Sequence, residues 1–339
     1  MSVGIDIGSK FIKIIELQKE GTAWQLRASG IVGYAGQPPE NFKDDNESAA
    51  FSELLRKLHK EANISSKDVA ISIPEQLVFT RTIKFPLLTD QEITSAIKWE
   101  AEQYIPIPIA EAIIQHQVLE RKETAVPPEI SILLVAAPRK MVEKYVKAVH
   151  GAGLNVVSVE TEMIALTRAL SPVDKTILLV DFGAASTNIA ITKNGLLNFS
   201  RTIPTAGEAF TRAVSQTLGI DMKQAEEYKR TYGLSASQLE GKIKVALDPV
   251  FKLVSDEIKK AIQYYITEEK GDPPASVIVS GGTSSMPDAP ITLGRLLGIE
   301  IVIGNPFQKI VVNPEVAKTI SSYAPLYAIA VGLAMGLDQ

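Results

Sequence analysis

The sequence contains no cysteine and only three histidines among its 339 residues. The lack of cysteine excludes disulfides, thiol nucleophiles, iron–sulfur clusters and cysteine-ligated zinc. The histidines, His59, His116 and His150, are far apart in the sequence, which argues against a metal site built from histidine. Positive and negative charges are nearly balanced, with 35 Lys+Arg against 39 Asp+Glu and a net charge of −4. This balance gives no support to nucleic-acid binding.

Long apolar stretches are also missing. The longest, residues 324–337, is shorter than the ~20 residues that cross a bilayer, and it contains Pro325 and two glycines. The opening residues MSVGIDIGSKFIKIIEL have no basic stretch before the apolar ones, and Asp6 interrupts these, so no signal peptide is predicted. We therefore expect a soluble protein that has no membrane segment of its own.

The clearest regularity is an internal repeat. A short apolar strand that ends in Asp-x-Gly is followed by a hairpin, once at residues 3–33 and again at residues 177–203. The second hairpin turns at Asn194-Gly195, a strong signal for a tight turn, and helical patterns follow both hairpins. A length that fits about two domains agrees with this repeat. We predict two duplicated α/β domains that face each other across a cleft.

The first candidate binding element follows the first strand. Asp6 ends this strand, and Gly8 permits a tight turn, so that the backbone N–H groups of the next strand can approach a phosphate. Ser9 adds a hydroxyl. Because Lys10 and Lys13 are three residues apart in the predicted strand, they should point to opposite faces, and we expect only Lys13 to face the cleft. The plainer alternative is a turn with an exposed aspartate.

The second candidate element repeats this chemistry in the second half. Asp181 ends a strand, and small and hydroxyl residues follow it: Gly183, Ala184, Ser186, Thr187 and Asn188. Two such loops can oppose each other across a triphosphate. Asp6 and Asp181 would then hold Mg²⁺ directly or through water, since Mg²⁺ retains waters and takes few carboxylates.

The third candidate element is a double glycine. Gly281, Gly282 and Thr283 follow the predicted strand 277–280, and a strand that ends in Gly-Gly lets the flat face of a base pack against bare backbone. An ordinary strand-to-helix turn is the alternative. Glu226 and Lys229 lie one helical turn apart on one face, an arrangement that a surface ion pair would explain equally well.

These three elements, in this order, resemble the phosphate-1, phosphate-2 and adenosine segments of the actin-like ATPase superfamily. Residues 324–334 resemble its second connecting helix, and residues 160–170 lie where its first should be. Neither a Walker A sequence nor GxGxxG is present, which excludes the P-loop and Rossmann alternatives. The resemblance implies an actin-like fold, two duplicated α/β domains around a nucleotide cleft with a small inserted α/β subdomain, and ATP with Mg²⁺ as ligands.

Four stretches give a finer resemblance, to the PilM family of type IV pilus assembly proteins, which is related to the cell-division protein FtsA. They are the opening VGIDIGSKFIKIIEL, WEAEQYIPIP at 99–108, the segment 181–207 and AEEYKRTYG at 225–233. By itself, the helical spacing of Trp99 favours the protein core. The resemblance implies a first domain of residues 1–170, in which residues of about 85–160 form the inserted subdomain, and a second domain of residues 171–339.

The resemblance also implies roles for single residues. Glu226 would bind the ribose and Lys229 would flank the base, with Gly207 among the cofactor-binding residues. Glu162 would orient the attacking water, although Glu160 is a near-equal candidate. A groove between the inserted subdomain and the first domain would take the N-terminal cytoplasmic peptide of the inner-membrane protein PilN.

The function implied is that of an ATP-binding scaffold on the cytoplasmic face of the inner membrane, which associates with the membrane only through its partners. Nucleotide would act mainly as a conformational ligand with slow ATP hydrolysis at most. The pilus assembly motor ATPases, the platform protein and further copies of the chain are candidate partners. Three alternatives stay open: an FtsA-like filament protein, which the missing C-terminal amphipathic helix disfavours, a small-molecule kinase, and a protein that kept only the fold.

Overall fold

The computed structural model describes residues 1–337; residues 338–339, the end of the predicted second domain, lie outside the described residues. The strands are β1 (Ser2–Ile7), β2 (Phe11–Glu20), β3 (Ala23–Gly33), β4 (Asp68–Ile73), β5 (Phe79–Pro86), β6 (Ala112–Lys122), β7 (Glu129–Pro138), β8 (Asn155–Thr161), β9 (Ile177–Phe182), β10 (Thr187–Lys193), β11 (Leu196–Ile203), β12 (Ser276–Ser280), β13 (Ile301–Ile303) and β14 (Ile310–Val311). The α-helices are α1 (Asp45–Glu61), α2 (Asp90–Tyr104), α3 (Arg139–Gly151), α4 (Glu162–Leu170), α5 (Gly207–Leu218), α6 (Met222–Tyr232), α7 (Lys242–Thr267), α8 (Ala289–Leu297), α9 (Pro314–Ile320) and α10 (Ala328–Gly336).

Two sheets repeat the same arrangement. The first has the strand order β14-β3-β2-β1-β4-β8, and the second has the order β11-β10-β9-β12-β13. In each, a central buried strand forms an antiparallel hairpin with the next strand and pairs in parallel on its other side, with β4 or β12. The second hairpin turns at Asn194 and Gly195, both with positive φ, as a two-residue turn of this kind requires. The predicted duplication of an α/β unit is therefore confirmed.

Helices cover both faces of the first sheet. The apolar sides of α1 and α3 bury Leu55 and Tyr145 against Ile5 of β1. On the opposite face α10 lies directly on β1, and a Cβ atom at Gly4 would come within 2.1 Å of the Ala330 carbonyl oxygen. Only glycine permits so close an approach of a helix to a strand. The second sheet packs on α5 and α7 through Phe210 and Phe251 and their neighbours.

The third sheet, with the order β5-β7-β6, forms the small inserted subdomain. Helix α2 begins at a capping box formed by Thr89 and Glu92 and buries Ile93, Ile97 and Ala101 against the sheet. Trp99 lies between the last two of these on the opposite side of the helix and is 73% exposed. The expectation that Trp99 belongs to the core is therefore wrong.

The small sheet occupies residues 79–138 rather than about 85–160. It begins earlier because β5 already pairs with β7 from Phe79 onwards. It ends earlier because β8 pairs in parallel with β4 of the first sheet, and because Tyr145 and Val149 of α3 are buried in the first core. Strand β8 therefore belongs to the first sheet, and helix α3 packs against it.

Helices α4 and α10 pack against each other where the two halves of the chain meet. A Cβ atom at Gly332 would come within 1.8 Å of the Ala165 carbonyl oxygen, and Arg168 Nη1 donates to the Gly332 carbonyl at 2.7 Å. The segment that resembles the second connecting helix, residues 324–334, begins within a 3-10 turn at Ser321–Tyr327 and continues into α10. Pro325 lies within this turn, and proline does not fit regular α-helical hydrogen bonding.

Helix α7 begins at Lys242 and contains Pro249 in its interior. Because Pro249 has no backbone N–H, the carbonyl of Val245 receives no hydrogen bond from it inside the helix. Val245 is exposed, so water can satisfy the carbonyl that the proline leaves free. The proline is thus tolerated seven residues into the helix.

By length and composition alone, the segment Pro314–Gly336 could cross a membrane. Most of its apolar window is nevertheless buried inside the protein, where α10 packs against β1, β2 and α4. Helix α10, the buried part of this segment, is thus a core element that packs on the first sheet.

Candidate nucleotide site

Two aspartates lie at the carboxyl ends of equivalent strands and are held in the same way. Asp6 on β1 accepts a hydrogen bond from Ser72 Oγ on β4 at 3.2 Å, and Asp181 on β9 accepts one from Ser280 Oγ on β12 at 2.8 Å. Both aspartates and both serines are buried. Since β4 and β12 are the parallel neighbours of β1 and β9, the duplication extends to the aspartate and the residue that orients it.

Lys13 supplies the cation of this cluster. Its Nζ atom lies 2.7 Å from Asp6 Oδ2. Burial lowers the pKa of Lys13, but the charges of Asp6, Asp181 and Glu162 outweigh burial and raise it above its ordinary value. Lys13 is therefore held in its charged form among carboxylates that approach it from both halves of the chain.

Glu162 begins α4 and points toward the same cluster. Its Oε2 atom accepts hydrogen bonds from Asn188 Nδ2 at 3.0 Å and from the Glu75 backbone N–H at 3.1 Å. Burial, followed by the charges of Asp6 and Asp181, raises the pKa of Glu162 well above its ordinary value. The other candidate, Glu160, instead forms an ion pair with Arg168 at 2.8 Å.

The turn between β1 and β2 contains Gly8, Ser9 and Lys10. The Gly8 N–H donates to the Phe11 carbonyl at 3.1 Å, and a Cβ atom at Gly8 would lie 3.0 Å from Lys13 Nζ. Lys10 precedes β2, so the alternation of strand side chains does not apply to it. Lys10 and Lys13 therefore both reach the cleft, and the expectation that only Lys13 does so is wrong.

The second loop closes on the start of α5. The Gly183 N–H donates to the Ser186 carbonyl at 3.0 Å, while the carbonyls of Gly183 and Ala184 accept from Gly207 and Glu208 at 3.2 and 2.8 Å. A Cβ atom at Gly183 would lie 2.8 Å from the Ser186 oxygen, so this tight turn needs glycine. The loop and the N-terminus of α5 thus form one rigid wall of the cleft.

The side chains of Thr187 and Asn188 face inward rather than into the open cleft. Thr187 Oγ1 donates to the Thr205 carbonyl at 2.8 Å. Asn188 donates to Glu162 and accepts from Thr202 Oγ1 at 2.9 Å. Both residues are buried. In this arrangement their side chains support the wall instead of offering free donors.

The double glycine lies beside the same wall. Gly281 has a φ of +80°, and a Cβ atom there would lie 2.4 Å from the Phe182 carbonyl oxygen. Thr283, in the turn that follows Gly282, has its Oγ1 atom 3.6 Å from the Cβ position of Gly207. The predicted adenosine segment therefore meets the predicted second phosphate loop.

Glu226 and Lys229 on α6 are tied to α5. Lys229 Nζ lies 2.6 Å from Glu226 Oε2, 2.9 Å from Thr211 Oγ1 and 3.1 Å from the Gly207 carbonyl. Burial lowers the pKa of Lys229 although Glu226 opposes it. The pKa of Glu226 is also lowered, because the charge and hydrogen bond of Lys229 outweigh the effect of burial. Lys229 is buried, whereas the Glu226 side chain is 45% exposed and available to a ligand.

The sequence patterns did not single out Ser72, Ser280, Thr211 or Glu75. One signal for the serines was present, since Ser280 immediately precedes the Gly-Gly pair. Since β4 in the first half is equivalent to β12 in the second, the internal repeat would then have pointed to Ser72 near the end of β4. Thr211 and Glu75 carry no comparable signal, because their partners are distant in the sequence.

The carboxylates do not form a ready-made metal cage. Within residues 1–337 no group of three or more His, Cys, Asp or Glu side chains is arranged to hold a metal ion. Asp6 is already paired with Lys13, whereas Asp181 has no ion-pair partner among these residues. Such a donor set fits a cation that takes one or two carboxylates and draws its other ligands from phosphate and water, which is the preference of Mg²⁺.

Solved structures share this architecture. A type IV pilus biogenesis complex, PilM–PilN, contains a chain that is 26% identical, with a TM-score of 0.84 and coverage of 99% of this chain and 98% of that one. MreB5 of Spiroplasma citri, solved bound to AMPPNP, is 12% identical with a TM-score of 0.56, and the match covers 97% and 93% of the two chains. The predicted actin-like fold is confirmed.

Curated relatives give a consistent result. The cell division protein FtsA of Pseudomonas aeruginosa is 24% identical over 386 residues, which cover 100% of this chain and 90% of the relative. FtsA of Streptococcus pneumoniae is 22% identical over 362 residues, which cover 94% and 78%. The family described as type IV pilus assembly protein PilM matches residues 4–337, nearly the whole sequence. The chain therefore belongs to the PilM family of type IV pilus assembly proteins.

Proposed function

We propose that this protein binds ATP with Mg²⁺ in the cleft between its two α/β domains. The observation that carries the proposal is the pair of equivalent Asp–Ser arrangements, Asp6 with Ser72 and Asp181 with Ser280, at facing strand ends. A tight glycine turn follows each aspartate and brings the backbone close to the cleft. The two halves together supply the carboxylates, cations and narrow turns that a metal-bound polyphosphate needs.

The residues divide into four groups, for the phosphates, the adenosine, the ribose and the metal. Ser9, Lys10, Lys13 and the Gly183–Ser186 turn would bind phosphates, and Gly207 with Gly281–Thr283 would line the adenosine. The half-exposed Glu226 carboxylate would accept hydrogen bonds from the ribose, while Lys229 holds it in place. Asp181, with Asp6, would hold Mg²⁺, which when bound neutralises charge on the phosphates.

Hydrolysis, where it occurs, would be slow. Glu162 is the carboxyl group that would orient water, but its pKa is raised well above the ordinary value by burial and then by the neighbouring carboxylates. A raised pKa enlarges the fraction of the protein in which Glu162 is protonated, and the protonated form cannot accept a proton from water. Nucleotide would therefore act mainly as a conformational ligand that favours the closed cleft through differential affinity.

The partner would be the cytoplasmic N-terminal peptide of PilN, as the resemblance to a chain of the PilM–PilN complex supports. The groove would lie between the small sheet, residues 79–138, and the first sheet. Binding there would recruit this protein to the cytoplasmic face of the inner membrane, where assembly motors and the platform protein could also contact it.

The test begins with calorimetric titration of Mg²⁺-ATP into the purified protein. We expect saturable binding that Asp181→Ala abolishes and that Asp256→Ala, a surface change on α7, leaves intact. A second arm measures capture of the protein by an immobilised PilN N-terminal peptide with and without ATP. Absence of ATP binding would overturn the nucleotide assignment, and absence of capture in both states would overturn the PilN assignment.

A further inference from the structure

Tyr34 reaches from the end of β3 back to the turn between β1 and β2. Its backbone N–H donates to the Lys10 carbonyl at 3.1 Å, and its hydroxyl donates to the Gly8 carbonyl at 2.7 Å. One residue therefore binds both ends of the segment Gly8–Lys10, although it lies 26 residues from Gly8 in the sequence.

The position of Tyr34 follows from the pairing of β2 with β3. The register places Phe11 opposite Gly33, so Tyr34, the next residue after β3, lies beside Lys10. The backbone hydrogen bond to Lys10 thus extends the antiparallel ladder by one step. The hydrogen bond to Gly8 lies beyond this ladder, and it needs a long side chain that ends in a donor.

The ring of Tyr34 is fixed by packing. It lies edge-on against Phe51 of α1, with ring centroids 5.7 Å apart and an interplanar angle of 83°, and it packs at the border of the first core. Aromatic rings favour this edge-to-face geometry. The core therefore holds the hydroxyl in place independently of the turn that it binds.

The hydroxyl of Tyr34 acts as a donor. Burial, followed by the charges of Glu40 and Asp6, raises the pKa of Tyr34 above its ordinary value. The hydroxyl thus keeps its proton at neutral pH. Because the Gly8 carbonyl can only accept, the direction of the hydrogen bond between them is fixed.

This hydrogen bond also sets the direction of a backbone N–H group. The Gly8 carbonyl and the Ser9 N–H belong to one trans peptide group, and in a planar trans peptide the two point in opposite directions. Since the carbonyl points to Tyr34, the Ser9 N–H points away from the core on which the ring packs. The next residue, Lys10, reaches Glu208 across the cleft. Backbone N–H groups that a turn presents in this way bind anionic oxygens.

The turn has few other restraints on this peptide group. Within it, the Gly8 N–H donates to the Phe11 carbonyl at 3.1 Å, while Ser9 and Lys10 are exposed. Glycine also places few restrictions on its own backbone angles. The orientation of the Gly8 carbonyl therefore depends on a partner from outside the turn, and the hydroxyl of Tyr34 is that partner.

We propose that Tyr34 is a positioning residue of the nucleotide site, whose hydroxyl orients the Gly8–Ser9 peptide group so that the Ser9 N–H meets a phosphate oxygen. The inference rests on the proposed function, since the ligand is the polyphosphate assigned there. A donor that is oriented before the ligand arrives lowers the entropic cost of binding. Tyr34 acts on the phosphates alone, because the residues assigned to the adenosine belong to the second domain.

The first measurement needs no nucleotide. Tyr34→Phe keeps the ring on Phe51 and removes only the hydroxyl, so hydrogen exchange at the Gly8 amide, followed by NMR, should become about two- to tenfold faster. The control is Tyr145→Phe, which removes a hydroxyl of the same core that donates to Glu40 at 2.6 Å, and it should leave exchange in the turn unchanged. Unchanged exchange at Gly8 in Tyr34→Phe, or an equal increase in both variants, would overturn the inference.

The second measurement compares two ligands. Calorimetry should show Mg²⁺-ATP binding weakened about two- to tenfold in Tyr34→Phe and unchanged in Tyr145→Phe. The Kd of adenosine, obtained from its displacement of a fluorescent ATP analogue, should stay the same in both variants. Unchanged ATP affinity in Tyr34→Phe, or an equal loss for adenosine, would refute the positioning role and leave the nucleotide assignment intact. Absence of Mg²⁺-ATP binding to the parent protein would instead refute the proposed function and, with it, phosphate as the ligand of the turn.

Discussion

Lys10 and Glu208 join the two domains across the mouth of the cleft, with Lys10 Nζ 2.8 Å from Glu208 Oε1. Lys10 belongs to the turn that follows Asp6, and Glu208 to the first turn of α5, which also carries Gly207. Both side chains are about half exposed. An exposed pair of this kind contributes only ~0.2–1 kcal/mol, so it can bias the closed state without locking it.

The first prediction concerns this pair. Lys10→Ala should shift the nucleotide-free protein toward a more open cleft, because the bridge between the domains is lost. Since the sequence has no cysteine, spin labels at Lys67→Cys and Lys223→Cys report the separation of the domains without interference. We expect a longer mean distance in Lys10→Ala and an unchanged one in Lys57→Ala, a surface residue of α1 whose ion pair with Glu61 stays within one helix. An unchanged distance distribution in Lys10→Ala would show that the pair does not hold the cleft closed.

The second prediction concerns Glu162 and pH. Its pKa is raised well above the ordinary value in the folded protein, so the folded state binds more protons than the unfolded state once the pH exceeds the ordinary range of a glutamate. The free energy of unfolding therefore falls as the pH rises through this window. Glu162→Gln keeps an acceptor for Asn188 and removes the ionisation, so thermal unfolding should show a higher Tm at neutral pH and a shallower decline with pH.

The comparison for this prediction is Glu160→Gln, which removes a carboxylate that is paired with Arg168. This variant should lower the Tm or leave it unchanged, because an attractive pair is lost. A Tm for Glu162→Gln below that of the parent protein at neutral pH would mean that the ionised carboxylate stabilises the fold. The pKa of Glu75 is raised by burial as well, so part of the pH dependence should persist in the variant.

Local patterns were sufficient to predict the repeat and its aspartates. Asp6 and Asp181 each end a buried strand and precede a glycine turn, and the hairpins that follow depend on neighbouring residues alone. The serines that hold them come from strands 66 and 99 residues further along the chain. Their positions depend on strand order within the sheet, which the spacing of residues does not encode.

The errors have two origins, the pairing of distant strands and one strand boundary. The prediction places the start of the small subdomain too late, because β5 pairs with β7 from Phe79 onwards. It places the end too late, because β8 pairs with β4, which lies far away in the sequence. Lys10 was assigned to the wrong face because the strand begins one residue later than predicted. The periodicity of apolar residues therefore predicts which segments are strands and helices, whereas the pairing of distant strands decides which sheet each strand joins.

The third prediction concerns the contact between α10 and α4. A Cβ atom at Gly332 would meet the Ala165 backbone at 1.8 Å, and a backbone neighbour cannot move aside without separating the helices. Gly332→Ala should lower the free energy of unfolding by about 1–3 kcal/mol, the range for overpacked sites, as measured by urea denaturation. Gly36→Ala is the matched control, since its nearest atom would be 3.9 Å away, and it should change stability by less than about 0.5 kcal/mol. Equal stabilities for the two variants would contradict the close packing.

The fourth prediction concerns how the proposed site distinguishes ribose from deoxyribose. The Glu226 carboxylate is half exposed and is oriented by Lys229 and Thr211, so it is available to accept a hydrogen bond from a ribose hydroxyl. A hydrogen bond to a charged group contributes about 1.5–3 kcal/mol, which corresponds to at least a tenfold preference for ATP over 2′-deoxy-ATP if the 2′-hydroxyl is the donor. Calorimetry on Glu226→Gln should show this preference reduced, while Glu227→Gln on the exposed side of α6 should retain it. If Glu226→Gln keeps the full preference, Glu226 does not read the ribose, and the orientation proposed for the nucleotide along α6 is incorrect.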